Sequence, residues 1–232
     1  MSQASRSKGY SVLFSSILLI CIVIVYFSFR MFMGSLSAVQ AQLFLDDWQD
    51  KRALTSEQAY LVAREAAEAS LLWYPVSNGS YWQRLGQIDE WRFFPRPFGD
   101  SFAQPVRETS LNAYREAVTY KTQWPYLWAR LANIKLQLGQ WDDELINALH
   151  QIDQTGPWRP LATRDLVEIG FLAWPSLDAE TQQMVLEAAS RTLSANRQFA
   201  LDVEATAKHA GKLDLLCDFL VSNARETRHL CQ

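Results

Sequence analysis

The chain has 232 residues, 49% of them apolar, with 9 Trp and a net charge of −3 from 22 Lys and Arg against 25 Asp and Glu. That is enough apolar material for one sizeable core and an extra segment, and the balanced charge argues against the basic face of a nucleic-acid binder. Glycine and proline are scarce and alternating Val, Ile and Thr nearly vanish after residue 40, so the expected fold is all-α.

Residues 1–9 are small and polar, with Arg6 and Lys8 and no acid. From Tyr10 to Phe29 no residue is charged, and Leu13, Phe14, Ile17 to Ile20 and Ile22 to Val25 dominate. About twenty such residues span a bilayer as a helix, which predicts a transmembrane helix over 10–33. The preceding positive charge places residues 1–9 in the cytoplasm and the rest of the chain across the membrane. A cleaved signal peptide competes with this, since Val39-Gln40-Ala41 has the small-residue cleavage pattern. The anchor is favoured because the apolar run exceeds a signal core and Arg30 to Met33 separates it from that site. Residues 34–54 form a juxtamembrane linker or continue the helix.

Thr55-Ser56-Glu57-Gln58 predicts the start of a helix that carries Ala59, Ala63, Ala66, Ala67 and Ala69 and runs to Tyr74-Pro75. Ser77-Asn78-Gly79-Ser80 reads as a turn, followed by Trp82-x-x-Leu85-Gly86. The segment Trp91-Arg92-Phe93-Phe94-Pro95-Arg96-Pro97-Phe98 excludes a regular helix through its prolines. Either its Phe residues fold it back over the core, or it docks a partner, with Arg92, Phe93, Phe94, Arg96 and Phe98 as the contact residues. Aromatics and Arg are the types enriched at interface hot spots.

Leu127, Leu131, Ile134 and Leu138 recur at three and four, one face of a helix. Gly139 stands where a left-handed cap belongs, and Asp142-Asp143-Glu144 opens a second helix with carboxylates at its positive end. That cluster is also a conceivable metal site, although the helix N-terminus explains it without one. Leu145, Ala148, Leu149 and Ile152 form the second apolar stripe, and Gly156-Pro157 ends it. Trp128, Leu131 and Ala132 resemble a tetratricopeptide-type repeat, whose pattern wants Trp, Leu three residues on, then a small residue. Lys135, where that pattern has Tyr, and Glu144, where it has a small residue, make the repeat degenerate. Trp82, Leu85 and Gly86 repeat the motif 46 residues earlier, while Ala63, Ala67 and Pro75 match Ala113, Ala117 and Pro125 at 50. All six motif residues, Trp82, Leu85, Gly86, Trp128, Leu131 and Ala132, are expected in the repeat core.

Further helices are predicted from Asp165 to Trp174, from Ser176 through Leu193, from Asn196 to His209 and from Leu213 to Val221. The helical-repeat domain thus covers 55–222, and residues 223–232 form a tail. Cys217 and Cys231 can pair in an oxidising compartment or remain free thiols. No Gly-rich phosphate loop, nucleophile elbow or His-Glu-x-x-His motif is present, and His150, His209 and His229 lie far apart. A non-enzymatic protein without cofactor or metal is therefore expected.

The order of basic N-terminus, single span, Trp-x-x-Leu-Gly, aromatic loop, second repeat and Gly156-Pro157-Trp158-x-Pro160 resembles the VpsP-like family of bacterial polysaccharide biosynthesis proteins. The resemblance covers most of residues 10–195. It implies a single-pass inner-membrane protein with a periplasmic helical domain, acting in exopolysaccharide biosynthesis or export. As a scaffold it would have membrane proteins of the assembly machine, the bilayer and no nucleic acid as partners. The alternatives are a polysaccharide-binding module, or an enzyme modifying polysaccharide or cell wall, in an aromatic-lined groove.

Overall fold

A 49-residue helix, α1 (Gln3–Lys51), opens the molecule. The structure is a computed structural model that describes residues 3–51, 56–223 and 231, with side chains from residue 13 onward. Thr55, His229, the side chains of Arg6 and Lys8 and the tail residues 224–230 lie outside the described residues. From Leu13 to Phe29 the side chains of α1 are exposed, and the helix is long and apolar enough to cross a membrane. It does not stop where the apolar run ends. The predicted continuation beyond residue 33 holds, and no irregular linker intervenes before Lys51.

The reason lies in a heptad that the eye passes over in a mixed sequence. Gly34, Ala38, Ala41, Leu45 and Trp48 are buried at alternating spacings of four and three, the seam of a coiled-coil contact. α2 (Glu57–Trp73) packs along α1 with a matching series, Tyr60, Ala63, Ala67 and Ser70. Small residues on both sides let the backbones approach closely. A methyl group on Gly34 would sit 2.8 Å from the Tyr74 nitrogen. Ala41, the candidate cleavage residue, is therefore part of this packed seam. Ser56 caps α2 as expected, accepting from the Ala59 N–H at 3.2 Å.

α3 (Gly79–Arg92) begins two residues into the predicted Ser77–Ser80 turn, because Asn78 accepts the Ser80 N–H on its side chain at 2.9 Å and starts the helix early. The chain divides into two compact units, Met1–Leu85 and Gly86–Gln232. α2 belongs to the first of these units, packed along α1.

The second unit contains α4 (Gln104–Tyr120), α5 (Pro125–Leu138), α6 (Asp143–Thr155), α7 (Pro160–Leu172), α8 (Ala179–Ala195), α9 (Arg197–His209) and α10 (Leu213–Ser222). No strand occurs among the described residues. Neighbours in sequence pack as pairs, and α5 also packs on α7, α7 on α9, α6 on α8 and α8 on α10. This gives two layers, α5–α7–α9 and α6–α8–α10, the arrangement of a helix-pair array. Gly139 takes the left-handed conformation at the end of α5, φ 71°, and Asp142 caps α6 by accepting from the Leu145 N–H at 3.1 Å. α7 starts at Pro160 and stops at Leu172, earlier at both ends than predicted, and Trp174 lies in a separate 3-10 turn, Trp174–Ser176.

The repeat is real in its helix lengths. α2 and α4 each have 17 residues and α3 and α5 each have 14. The structural offset of the first helices is 47, however, not the 50 suggested by matching alanines. At 47, the buried Tyr60, Ala63, Ala66, Ala67 and Ser70 of α2 fall on the buried Arg107, Ser110, Ala113, Tyr114 and Ala117 of α4. A slip of three residues is nearly one helical turn, so the wrong register also matches small residues to small ones.

Leu85, Gly86, Leu131 and Ala132 are buried as expected, but Trp82 and Trp128 are only half-buried. The Trp128 indole lies along the end of the α4–α5 turn and donates to the Thr122 carbonyl at 2.7 Å. A ring with a donor at its edge suits such a half-wet place better than a dry core. Close packing shows instead at Gly170, where an added methyl would lie 2.5 Å from Val185 Cγ2. Gly170→Ala should therefore lose about 1–3 kcal/mol in urea denaturation, the usual cost of overpacking. With Val185→Ala added, the loss should be smaller than the sum of the two single losses.

α10 is tied down by a disulfide between Cys217 and Cys231, Cα to Cα 5.5 Å. Of the two options open from sequence, pairing is the one observed.

Candidate binding site

The segment between α3 and α4 is organised by a residue outside it. Arg107, in the second turn of α4, is almost fully buried. Its guanidinium donates to the carbonyls of Pro97 at 2.9 Å, Arg96 at 2.8 Å and Phe93 at 3.5 Å, all in the loop. It also donates to Gln137 at 3.0 Å, at the end of α5. The Gly99 N–H reaches the same Gln137 carbonyl at 2.9 Å. Prolines 95 and 97 keep this segment from forming a helix ladder, and short turn bonds from the Arg96 N–H to the Phe93 carbonyl at 3.0 Å and from the Asp100 N–H to the Pro97 carbonyl at 3.3 Å replace it, leaving carbonyl lone pairs that need further donors. A planar cation with five N–H groups meets that need. Burial holds the Arg107 guanidinium below its ordinary pKa, though it stays a cation throughout the physiological range.

Because hydrogen bonds to Arg107 hold the loop, its Phe residues are not consumed in doing so. Phe94, Phe98 and Phe102 are 54–65% exposed. The picture of a loop folded over the core by its phenylalanines is thus replaced by a loop fixed through its backbone. Ring contacts stiffen it further. Trp91 and Phe94 lie 5.1 Å apart and Phe93 and Phe102 5.4 Å apart between centroids. Arg92 lies over Phe93, and Arg96 over Phe102 at 4.9 Å while also pairing with Asp100 at 3.3 Å.

Phe94 and Phe98 form one rim of a cleft of about 390 Å³ on the α5–α7 layer. α5 contributes Ala129, Arg130, Asn133 and Leu136, and α7 contributes Arg164, Asp165, Glu168, Ile169 and Leu172. These are single faces of each helix, spaced three and four apart. Of the five sequence-predicted contact residues, the structure brings Phe94 and Phe98 to the cleft. Phe93, Arg92 and Arg96 instead brace the loop.

Beneath the α5 wall lies Glu90, buried near the end of α3. Its carboxylate accepts from Tyr114 Oη at 2.6 Å, Asn133 Nδ2 at 2.9 Å, Arg130 Nη1 at 3.3 Å and Gln137 Nε2 at 3.3 Å. Glu90 raises the Arg130 guanidinium pKa further, and burial together with Glu90 pushes the Tyr114 phenol up. Gly86 of the Trp-x-x-Leu-Gly motif makes room for the Tyr114 ring, since a methyl there would sit 2.8 Å from Cε1. The motif thus seats the tyrosine that seats the glutamate that orients the cleft arginine.

On the opposite wall, Asp165 and Glu168 are raised from their ordinary values, first by burial and, for Glu168, next by the charge of Asp165. Arg164 donates to Asp165 at 2.9 Å. The cleft therefore offers two guanidinium groups, two carboxylates, an amide and two phenyl rings. Such a set recognises hydrogen-bonding ligands with an apolar part.

The candidate metal cluster has other work. Asp142 and Glu144 hold the buried Lys135 ammonium at 2.8 Å and 2.6 Å, and Glu144 also pairs with Arg115 at 2.6 Å. The two residues that depart from the repeat pattern, Lys135 and Glu144, are partners of each other.

Sequence reading missed Arg107, Glu90 and Arg130. A signal existed for the first, since Arg107 precedes Ser110, Leu111 and Tyr114 on one helical face and interrupts an otherwise uncharged stripe. The other two meet only through tertiary packing. No family model matches this chain, and no curated protein matches it.

Proposed function

We propose that this protein is a membrane-anchored, non-catalytic scaffold that binds other proteins through the α5–α7 cleft and its Phe94–Phe98 rim. The observation that carries this reading is the loop itself. Arg107 fixes its backbone and leaves three phenylalanines facing out, so less loop entropy remains to be lost on binding. Exposed aromatics beside Arg130 and Arg164 have the composition of an interface hot spot.

The wider setting follows the resemblance to VpsP-like proteins: a bacterial inner-membrane protein of exopolysaccharide biosynthesis or export, with its helical domain in the periplasm. The Cys217–Cys231 pair supports an oxidising compartment for that domain. The apolar length of α1 supports the anchor.

A second reading, a polysaccharide-binding or polysaccharide-modifying groove, has its own support in Asp165 and Glu168. Both carboxylates stand on one wall, three residues apart on α7. Glycoside hydrolysis wants two carboxylates flanking the bond, so this placement favours holding a ligand over cleaving one.

The two readings separate by mutation. Phe94→Ala with Phe98→Ala should reduce co-purification of partner membrane proteins several-fold and lower polymer yield, with an unchanged circular dichroism spectrum. Asp165→Asn with Glu168→Gln should leave polymer yield within about twofold. If instead the carboxylate pair abolishes polymer while partner binding survives, the groove acts on polysaccharide itself and the scaffold reading fails.

A further inference from the structure

The end of α2 presents an apolar surface that the described residues of the first unit leave exposed. Leu72 is 73% exposed and Val76 67% exposed, with Trp73 partly exposed between them. Exposed Leu and Val at the tip of a turn need an occupant or a cost in solubility. Charge is also missing here. Between Glu68 and Arg84 the sequence ASLLWYPVSNGSYWQ contains no charged residue, whereas the middle of α2 carries Arg64, Glu65 and Glu68.

The position of this tip is fixed within the first unit. Arg30 donates from Nη2 to the Leu72 carbonyl at 2.8 Å and from Nε to the Trp73 carbonyl at 3.1 Å. Phe29 meets the Trp73 ring edge-on at 6.2 Å. Gly34 lies against Tyr74, whose ring in turn meets Tyr81 edge-on at 5.1 Å. The tip is therefore level with residues 29–34 of α1. Those residues mark where the uncharged run of α1 ends. Twenty residues from Tyr10 to Phe29 rise about 30 Å, the thickness of the hydrocarbon layer. A helix anchored over that run puts Arg30 at the edge of the hydrocarbon, and with it Leu72, Trp73 and Val76.

We infer that the α2–α3 turn is a second membrane contact: Leu72, Trp73 and Val76 insert into the phospholipid interface beside the point where α1 leaves the bilayer. This rests on the reading of α1 as the membrane span. The occupant is lipid because the patch is continuous with the lipid-facing surface of α1. Met31, Phe32 and Leu36 are exposed on α1 at the same level. Tryptophan and tyrosine at this depth match the aromatic belt of membrane proteins. Arg30 has a role particular to that depth. The last carbonyls of a helix lack intrahelical donors, and near hydrocarbon water supplies few. The guanidinium takes two of those carbonyls, allowing the helix end to approach the bilayer. The consequence is a first unit held against the membrane at two points.

The test uses the full-length protein with Cys21→Ser in phosphatidylcholine–phosphatidylglycerol vesicles. Single cysteines at Leu72, Val76, Glu65 and Phe14 are labelled with an environment-sensitive fluorophore and quenched by lipids that carry the quencher at shallow or deep acyl positions. Leu72→Cys and Val76→Cys should be quenched several-fold more by the shallow lipid than Glu65→Cys, while Phe14→Cys, about 6 Å inside the hydrocarbon, should be quenched by both lipids. No quenching at positions 72 and 76 with normal quenching at 14 overturns the second contact and leaves the anchor standing. No quenching at 14 overturns the anchor and this inference with it. Equal quenching at 65 and 72 also overturns it, because α2 would then lie flat on the membrane.

Discussion

Arg107→Met should destabilise the protein by about 3–5 kcal/mol, two to three charge-assisted hydrogen bonds at about 1.5–3 kcal/mol each, offset in part by water reaching the freed carbonyls. Methionine keeps the apolar stem and the volume, so the loss isolates the guanidinium. The carbonyls of Phe93, Arg96, Pro97 and Gln137 would be left without this donor. Phe93, Pro97 and Gln137 keep one backbone donor each, the N–H groups of Arg96, Asp100 and Gly99, so the loss falls on their second bonds and on the Arg96 carbonyl. Arg107→Lys should recover only part of the stability, since an ammonium cannot address four carbonyls spread around a planar fork. Urea denaturation gives the energy, and hydrogen exchange locates it. The Gly99 amide, bonded to Gln137, should exchange much faster in Arg107→Met while amides in α8 and α9 exchange by local openings at wild-type rates. Co-purification of partners should fall as it does for the Phe94 and Phe98 changes, because a mobile loop would then have to be ordered on binding. A stability loss under about 0.5 kcal/mol, the range of ordinary surface substitutions, would show that the loop is held by its rings instead.

Lys135→Ala should cost about 1.5–3 kcal/mol, the usual worth of hydrogen bonds to charged groups, because the carboxylates it leaves are 52% exposed at Asp142 and 31% exposed at Glu144, and Glu144 keeps Arg115. Glu144→Ala should cost less, since its side chain is partly exposed while that of Lys135 is fully buried. Lys135→Tyr with Glu144→Ala restores the usual repeat residues. It should be more stable than the summed single losses predict, by a coupling of about 0.5–3 kcal/mol.

The same cluster sets a pH dependence. Glu144 is held at about 2, against an ordinary 4.5, by its hydrogen bond from Arg115 first and then by Lys135. Its folded value is the lower one, so the stability it contributes is complete above 4.5. It disappears as the pH falls from there to about 2. Denaturation midpoints of the wild type should drop across that window, and Glu144→Gln should flatten part of the drop. An identical profile in the variant would mean that other carboxylates carry the acid sensitivity.

The ends of most helices follow from residues near each end in the chain, and they were legible in the sequence for that reason. Ser56, Asp142 and Asn196 accept amides three residues on, and Gly139 supplies a left-handed cap. The stripe Leu145, Ala148, Leu149 and Ile152 is buried as its period requires. The apolar length of α1 is likewise a property of the sequence alone. What tertiary structure decided is the partner of each face. Lys135 read as a departure from a pattern until Glu144 was placed beside it. Trp128 read as core by its motif, yet it faces a turn carbonyl, since a motif fixes the face of a helix and not the depth of the side chain. The heptad of α1 had meaning only once α2 lay along it. Arg107 is separated by ten residues or more from three of the carbonyls it binds and thirty from Gln137. A chain contact of that span leaves no period in the sequence, because its cause is the packing of α4 on α5 and not the geometry of either helix.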